Sequence, residues 1–159
     1  MNGDRIGPGC GRLGTGARCG CGKAGRNAFA LLPCGRAVVY LAGAGGGHGA
    51  LIDGADLGRV LSFPGRWYAQ RRQWTLYAAA TANVGGRKVT VRLHRFLLGP
   101  PADMEVDHLD HDGLNNTRAN LRIVTPEANK RNLREEGRDV GRRWYECGLA
   151  PAAPRCSEA

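Results

Sequence analysis

Acidic residues, lysine and long apolar runs are all scarce in this sequence. Its 159 residues include only three lysines. No apolar run approaches the roughly 20 residues that a membrane-spanning helix needs. The N-terminus also lacks the basic-then-apolar pattern of a signal peptide. We therefore expect a soluble cytoplasmic protein, in a bacterial host or a phage-infected cell, with no membrane partner.

The scarcity of acid is concentrated in the middle of the chain. No Asp or Glu occurs between Asp56 and Asp103, whereas the whole chain carries a net charge of +9. Solvated surfaces normally mix both signs of charge, so this stretch predicts a surface that binds a polyanion. A GC-rich gene also favours arginine, and we attribute most of the chain-wide surplus to that bias. The basic residues of the stretch are Arg59, Arg66, Arg71, Arg72, Arg87, Lys88, Arg92 and Arg95.

Cysteine spacing argues against a zinc knuckle, because no two of the six cysteines have a two-residue gap. A four-thiolate zinc site remains possible in principle. Its ligands would be Cys10, Cys19, Cys21 and Cys34. In a reducing cytosol we expect free thiols instead, with no disulfide and no structural zinc.

Short apolar runs predict two strands at 37–41 and 50–52. Three further strands separated by turns, at 66–69, 75–80 and 88–91, predict a small antiparallel sheet. Its bulky residues are Trp67, Tyr68, Trp74 and Tyr77. Asp53, as an N-cap with Asp56 in the capping-box position, predicts a short helix after the second strand. A further short helix, which contains His94, should end at Gly99.

Residues 91–132 contain the side chains that are the best candidates for metal binding and catalysis. A short strand ends at Asp107 and His108, and a polar loop covers 110–118. A second strand at 121–124 leads to Thr125 and Pro126, which suit a helix N-terminus. The order strand, loop, strand, helix can bring Asp107 and His108 opposite Asn129. A carboxylate and an amide oxygen suit a hard cation, and a neutral imidazole can accept a proton from water.

These residues resemble the HNH endonuclease family, in its phage and intron-encoded homing type built on a ββα-metal, or His-Me, finger. The matching motifs are LHRFLLGPP, VDHLDHDGLNN, NLRIVTP and ANKRN. The resemblance implies that Asp107 and Asn129 are metal ligands and His108 is the general base. It also implies that Asn120 fastens the loop to the hairpin. One Mg²⁺ or Mn²⁺ ion and double-stranded DNA are the expected cofactor and partner.

We therefore predict an α+β fold divided into four segments. A glycine- and arginine-rich tail at 1–35 precedes a β-rich, DNA-contacting lobe at 36–91. The nuclease core follows at 92–136, and 137–159 forms a flexible tail. The expected activity is metal-dependent hydrolysis of DNA phosphodiester bonds by a monomer.

Several alternatives stay open at this point. A DNA-binding or phage accessory protein can keep the fold without catalysis, and an RNA-directed nuclease can use the same residues. Asn132 is interpreted as a polar residue on a helix face, although a phosphate contact is the alternative. His94 is interpreted as structural, with a contact to DNA phosphate or to the loop at 110–118 as the alternative. His111 is interpreted as a turn residue, with a phosphate contact as the alternative.

Among the basic residues, Arg71 and Arg72, at a hairpin turn, are the best candidates for DNA contact. The other candidates are Arg66, Arg87, Lys88, Arg92, Arg95 and Arg118. Arg95 or Arg118 can also stabilise charge in the reaction, and the sequence does not choose between them.

Overall fold

The computed structural model describes residues 18–20, 26–43, 47–72 and 75–135. In order, the strands are β1 (Arg18–Gly20), β2 (Phe29–Leu31), β3 (Arg36–Tyr40), β4 (Gly49–Asp53), β5 (Trp67–Arg72), β6 (Thr75–Val84), β7 (Arg87–Arg92), β8 (Glu105–His108) and β9 (Leu121–Val124). The α-helices are α1 (Leu57–Ser62), α2 (Leu93–Leu98) and α3 (Pro126–Glu135), and single 3₁₀ turns cover Gly54–Asp56 and Arg118–Asn120. None of the helices described combines the length and apolar character needed to cross a bilayer.

The strands form three antiparallel sheets. One contains β1 to β4 in sequence order, one contains β5 to β7, and β8 pairs with β9 alone. Short helices connect them, so the predicted α+β class is confirmed. The five strands that the sequence predicted before residue 92 are all present, and the sheet of β5 to β7 has the expected order.

The segment 1–35 holds structure that the sequence did not predict. Within its described part, β1 and β2 extend the first sheet, and Phe29 lies opposite Val39 of β3. Ala30 is fully buried, so this part of the segment is not a loose tail. A strand of three residues has too little pattern to show in a sequence, and its order comes from pairing with β3.

One hydrophobic core runs through all three sheets. Trp67 anchors it: the ring is buried, and its Nε1 donates to the carbonyl of Val60 at 2.9 Å. Phe63 and Phe96 pack beside that ring at centroid distances of 4.9 and 5.6 Å. The same cluster contains Val39, Ile52, Ala80, Leu93, Leu97, Val106, Leu114 and Leu121. The β8–β9 hairpin therefore shares its core with the sheets before it.

Strand β6 is long enough to belong to two hairpins. Its residues 75–80 pair with β5, and its residues 79–84 pair with β7. The glycines of the second turn, Gly85 and Gly86, both have positive φ, as a tight hairpin turn requires. Beyond residue 80, β6 and β7 continue as a two-stranded ribbon that β5 does not accompany.

The predicted cap of α1 is wrong. Neither Asp53 nor Asp56 makes a side-chain cap hydrogen bond. Asp53 instead accepts from the backbone N of Arg118 at 2.8 Å, and Asp56 binds the Arg118 guanidinium at 2.8 and 2.9 Å. The two carboxylates thus fasten the loop before β9 to the first sheet.

We expect Asp56→Ala to lower the free energy of unfolding by about 2 kcal/mol, because it removes two charge-assisted hydrogen bonds from a buried carboxylate. Urea denaturation measures this change. Asp103→Ala removes the same charge at an exposed position and should change the value by less than about 0.5 kcal/mol. Equal losses in the two variants would contradict the role of the Asp56–Arg118 pair.

Candidate active site

Strand β8 presents two different chemistries on its two faces. Successive side chains of a strand point to opposite sides, so Glu105 and Asp107 share one face while Val106 and His108 share the other. Asp107 and His108 are both buried, at 8% and 5% exposure. The acid and the imidazole predicted from the sequence are therefore adjacent along the strand, but their side chains point to opposite faces and have different neighbours.

The acidic face of β8 lies against α3. Nδ2 of Asn129 donates to Glu105 Oε2, and Nδ2 of Asn132 donates to Asp107 Oδ2 at 2.8 Å. Residues three apart on a helix are neighbours on its surface, just as residues two apart share a strand face. The two carboxylate–carboxamide hydrogen bonds therefore lie side by side and connect the strand to the helix.

Helix α3 starts where the sequence predicted. Thr125 Oγ1 accepts from the backbone N of Ala128 at 3.2 Å, and Pro126 occupies the first helical position. This start sets the rotation of the helix, because each later residue is placed by its distance from the cap. Asn129 and Asn132 consequently face β8.

Asp107 is held by more than one donor. Arg122, its register partner on β9, donates Nε and Nη2 to the same carboxylate oxygen, Oδ2, at 2.9 and 2.7 Å. Among the described residues, no donor contacts Oδ1 of Asp107 or Oδ1 of Asn129, and neither atom is fully buried. Each side chain is thus oriented through one atom and keeps one oxygen available to solvent.

His108 is oriented by Asn116, which is fully buried. Nδ2 of Asn116 donates to the carbonyl of Gly113 at 3.3 Å, which turns Oδ1 toward His108 Nε2 at 3.4 Å. Nε2 therefore carries the proton, and Nδ1 is the basic nitrogen. Burial lowers the pKa of His108 below its ordinary value, against an opposing effect of the Asn116 hydrogen bond. The imidazole is therefore neutral at neutral pH.

Two further rings pack on His108. His94 of α2 meets it edge to face at a centroid distance of 5.0 Å, and Tyr77 of β6 lies 5.9 Å away. Nδ1 of His94 is a buried nitrogen without a hydrogen-bond partner in the described part of the chain. Burial, followed by the nearby His108 and arginines, lowers the pKa of His94 to about 2. His94 is thus a neutral packing partner of His108.

The loop between β8 and β9 is held by its own polar side chains. Asn120 Nδ2 donates to Asp110 Oδ1 at 2.7 Å and to the carbonyl of Asn115 at 2.8 Å, and its Oδ1 accepts from the backbone N of Asp110. Asp112 Oδ1 accepts from the backbone N of Leu114 at 2.9 Å. His111 has φ of +59°, the left-handed conformation that a tight turn produces.

The same loop is packed against the lobe before it. Leu51 exchanges backbone hydrogen bonds with Leu114 and Asn116 at 2.9 and 2.7 Å. A Cβ on Gly113 would lie 2.4 Å from the carbonyl oxygen of Leu76 and 2.7 Å from the Tyr77 ring. Only glycine allows the loop to approach β6 this closely.

The predicted basic residues occupy different places. Arg66, Arg71, Arg72, Arg87 and Lys88 are exposed on or beside the sheet of β5 to β7. The guanidinium of Arg92 lies 5.2 Å from the Tyr77 ring centroid. Arg95 donates to the carbonyl of Met104, and Arg118 is paired with Asp56.

Sequence reasoning did not identify four residues of this site. They are Glu105, Asn116, Arg122 and Asn132, of which the last was interpreted as a polar residue on a helix face. Spacing could have indicated two of them, because Glu105 lies two residues from Asp107 and Asn132 lies three from Asn129. The described residues contain no cluster of three or more His, Cys, Asp or Glu side chains that could hold a metal. Cys34 is exposed and free, and the other cysteine side chains and Trp74 lie outside the part described.

The stretch that contains most residues of this site is similar in sequence to known proteins. Residues 98–131 match a family model described as HNH endonuclease. An uncharacterized HNH endonuclease of Acanthamoeba polyphaga mimivirus is 46% identical over 48 residues, which cover 26% of each chain. The chain thus spans about a quarter of the length of this relative. No solved structure matches the chain. Residues 98–131 are therefore similar to the HNH endonuclease family, as the sequence motifs indicated.

Burial raises the pKa of Asp112 from 3.8 to about 6. Between about pH 4 and pH 6 the folded chain keeps a proton that the unfolded chain has lost, so stability falls as pH rises through this window. Asp112→Asn keeps an acceptor for Leu114 and removes the titration. We expect its free energy of unfolding, relative to the wild type, to increase from about pH 4 to pH 7.

Urea denaturation across that pH range measures the difference. Asp103→Asn, which changes an exposed carboxylate, is the control. A pH-independent difference between Asp112→Asn and the wild type would contradict the assignment of the raised pKa to Asp112.

Proposed function

We propose that this protein is a divalent-metal-dependent endonuclease that hydrolyses phosphodiester bonds of double-stranded DNA. In this proposal β8, β9 and α3 form a ββα-metal finger of the phage or intron-encoded homing type, and the β-rich lobe before it contacts DNA. The family match over 98–131 supports the activity. The single observation that carries the mechanism is the position of Asp107, next to His108 at the end of β8, against the asparagine face of α3.

Asp107 and Asn129 are the residues that we propose to hold the ion. Each is anchored through one atom and has one oxygen that no donor among the described residues occupies. Hard cations such as Mg²⁺ and Mn²⁺ prefer oxygen ligands, and two protein oxygens leave positions for water and phosphate. When bound, the ion would stabilise the negative charge that develops on the phosphate and the leaving oxygen.

His108 is the proposed general base. Its Nδ1 accepts a proton from a water molecule while the water oxygen forms a bond to phosphorus and the bond to the 3′ oxygen breaks. Burial keeps the imidazole neutral, so Nδ1 is available without prior deprotonation. The imidazolium that results is stabilised by the nearby carboxylates of Asp110 and Asp107.

Asn116 and His94 have proposed supporting roles. The Asn116 hydrogen bond at Nε2 keeps the basic nitrogen at Nδ1. His94 and Tyr77 pack against the ring and limit its rotation. Residues that orient a catalytic group act on the rate of the chemical step more than on substrate binding.

Positive charge on the sheet of β5 to β7 supports DNA as the substrate. Its exposed Arg and Lys side chains have no acidic neighbour in the chain between Asp56 and Asp103. Arg95 and Arg118, in contrast, already donate to Met104 and Asp56. We therefore propose that β5 and β7, rather than these two arginines, supply the first contacts with the phosphate backbone.

We expect His108→Ala to lower the rate of plasmid cleavage in Mg²⁺ at least about 100-fold, the usual contribution of a general base. Chelation by EDTA should abolish wild-type cleavage. His48→Ala provides the control, because His48 is a histidine outside the proposed site and should keep wild-type activity. Cleavage by His108→Ala at the wild-type rate would refute the mechanism.

We expect Asn132→Ala to weaken Mn²⁺ binding by about 10-fold, because residues that orient a metal ligand affect metal affinity. Asn129→Ala should weaken it further, since that change removes a proposed ligand. Isothermal titration with Mn²⁺ measures both. Lys130→Ala lies on the same helix at an exposed position and should bind as the wild type does. Unchanged affinity in both asparagine variants would show that α3 does not form the metal site.

A further inference from the structure

The sheet of β5 to β7 has two chemically different faces. Trp67 and Ala69 of β5 lie in register with Ala80 and Ala78 of β6; Ala69 packs against the hydrophobic core, and the other three belong to it. The residues between them along each strand point to the other side of the sheet. The core covers the first side between Trp67 and Ala80, so along this part of the sheet the other side is the one that can meet a ligand.

Apart from the buried Ala79, this other side carries uncharged polar and basic groups. We name it the polar face, and its members are Tyr68, Gln70, Arg72, Thr81, Asn83, Lys88, Thr90 and Arg92. The hydroxyls of Tyr68, Thr81 and Thr90 lie in a row at 3.4 and 3.5 Å. Side chains of these types are the usual contacts to phosphate and sugar in nucleic acids. The face has no carboxylate, so its charge complements a polyanion.

The polar face leads directly to the proposed general base. Tyr77 belongs to the same side of β6, and its ring lies 5.9 Å from the ring of His108. Arg92, also on this side, lies over the same tyrosine ring. A ligand seated on the polar face therefore continues toward His108 without crossing to the other side of the sheet.

The strand register also places neighbouring basic residues on opposite faces of the sheet. Arg72 and Lys88 lie on the polar face, opposite Thr75 and Asn83. Arg71 lies opposite Leu76, which packs against the core, and Arg87 lies opposite Val84, so both point to the other side. Arg72 and Lys88 thus each have an exposed neighbour in sequence with the same charge and the opposite orientation.

We infer that the polar face, and not the opposite side of the sheet, is the surface along which the phosphate backbone of duplex DNA lies. This inference rests on the proposed nuclease function. From Tyr77 to Asn83 the strand rises roughly 20 Å, which corresponds to about six base pairs of duplex. Lys88, paired with Asn83, therefore contacts phosphates about six base pairs from the scissile bond, and Arg72 contacts phosphates close to it.

The test is the salt dependence of binding by the full chain. Fluorescence anisotropy with a labelled random-sequence duplex of about 30 base pairs, several times the length of the proposed contact, measures affinity in EDTA. Each of Arg72→Gln and Lys88→Gln should make the slope of log affinity against log salt shallower by about 1, because each removes one phosphate contact. Arg71→Gln and Arg87→Gln should keep the wild-type slope. All four side chains are exposed, and thermal unfolding verifies that the variants fold alike.

Unchanged slopes for Arg72→Gln and Lys88→Gln, or equal changes in all four variants, would overturn the inference. Tighter binding of single-stranded RNA than of the duplex, with the same losses, would overturn it as well. Because EDTA prevents cleavage, these outcomes are independent of catalysis. Absence of plasmid cleavage with the predicted slopes would refute the nuclease proposal and support the polar face as a DNA-binding surface.

Discussion

Two hydrogen bonds between carboxylates of β8 and carboxamides of α3 hold the helix against the strand, and the site depends on these bonds. Glu105 meets Asn129, and Asp107 meets Asn132. A buried carboxylate is stable only when donors satisfy it, and Arg122 provides the remaining hydrogen bonds to Asp107. Because the donors use one carboxylate oxygen, the arrangement orients Asp107 and still leaves its second oxygen available.

The other face of β8 depends on the lobe that precedes it. His108 contacts Tyr77 of β6 and His94 of α2, and its orienting residue Asn116 bonds to the backbone of Leu51. Packing and hydrogen-bonded contacts of this kind restrict the movement of a side chain. The segment with the family motifs therefore supplies the proposed reactive groups, while Tyr77 and Leu51 of the lobe pack against or bond to the residues around them.

Local patterns predicted much of the fold. The strands of the second sheet, the hairpin turn at Gly85-Gly86 and the α3 cap at Thr125 are all present, because each depends on neighbours in the sequence. The supposed cap by Asp53 and Asp56 failed for the opposite reason. Asp56 pairs with Arg118, 62 residues away, and a long-range ion pair of this kind has no local signal.

By itself the sequence determined the kinds of element, their order and the chemical groups that end β8, since backbone preference and side-chain chemistry are local properties. Only the tertiary structure decided which partner each group meets. Asp107 and His108 are adjacent in the chain, yet one faces a helix and the other a sheet, because strand geometry sends neighbours to opposite sides. The separation of Arg71 from Arg72 by the two sides of the sheet has the same physical origin.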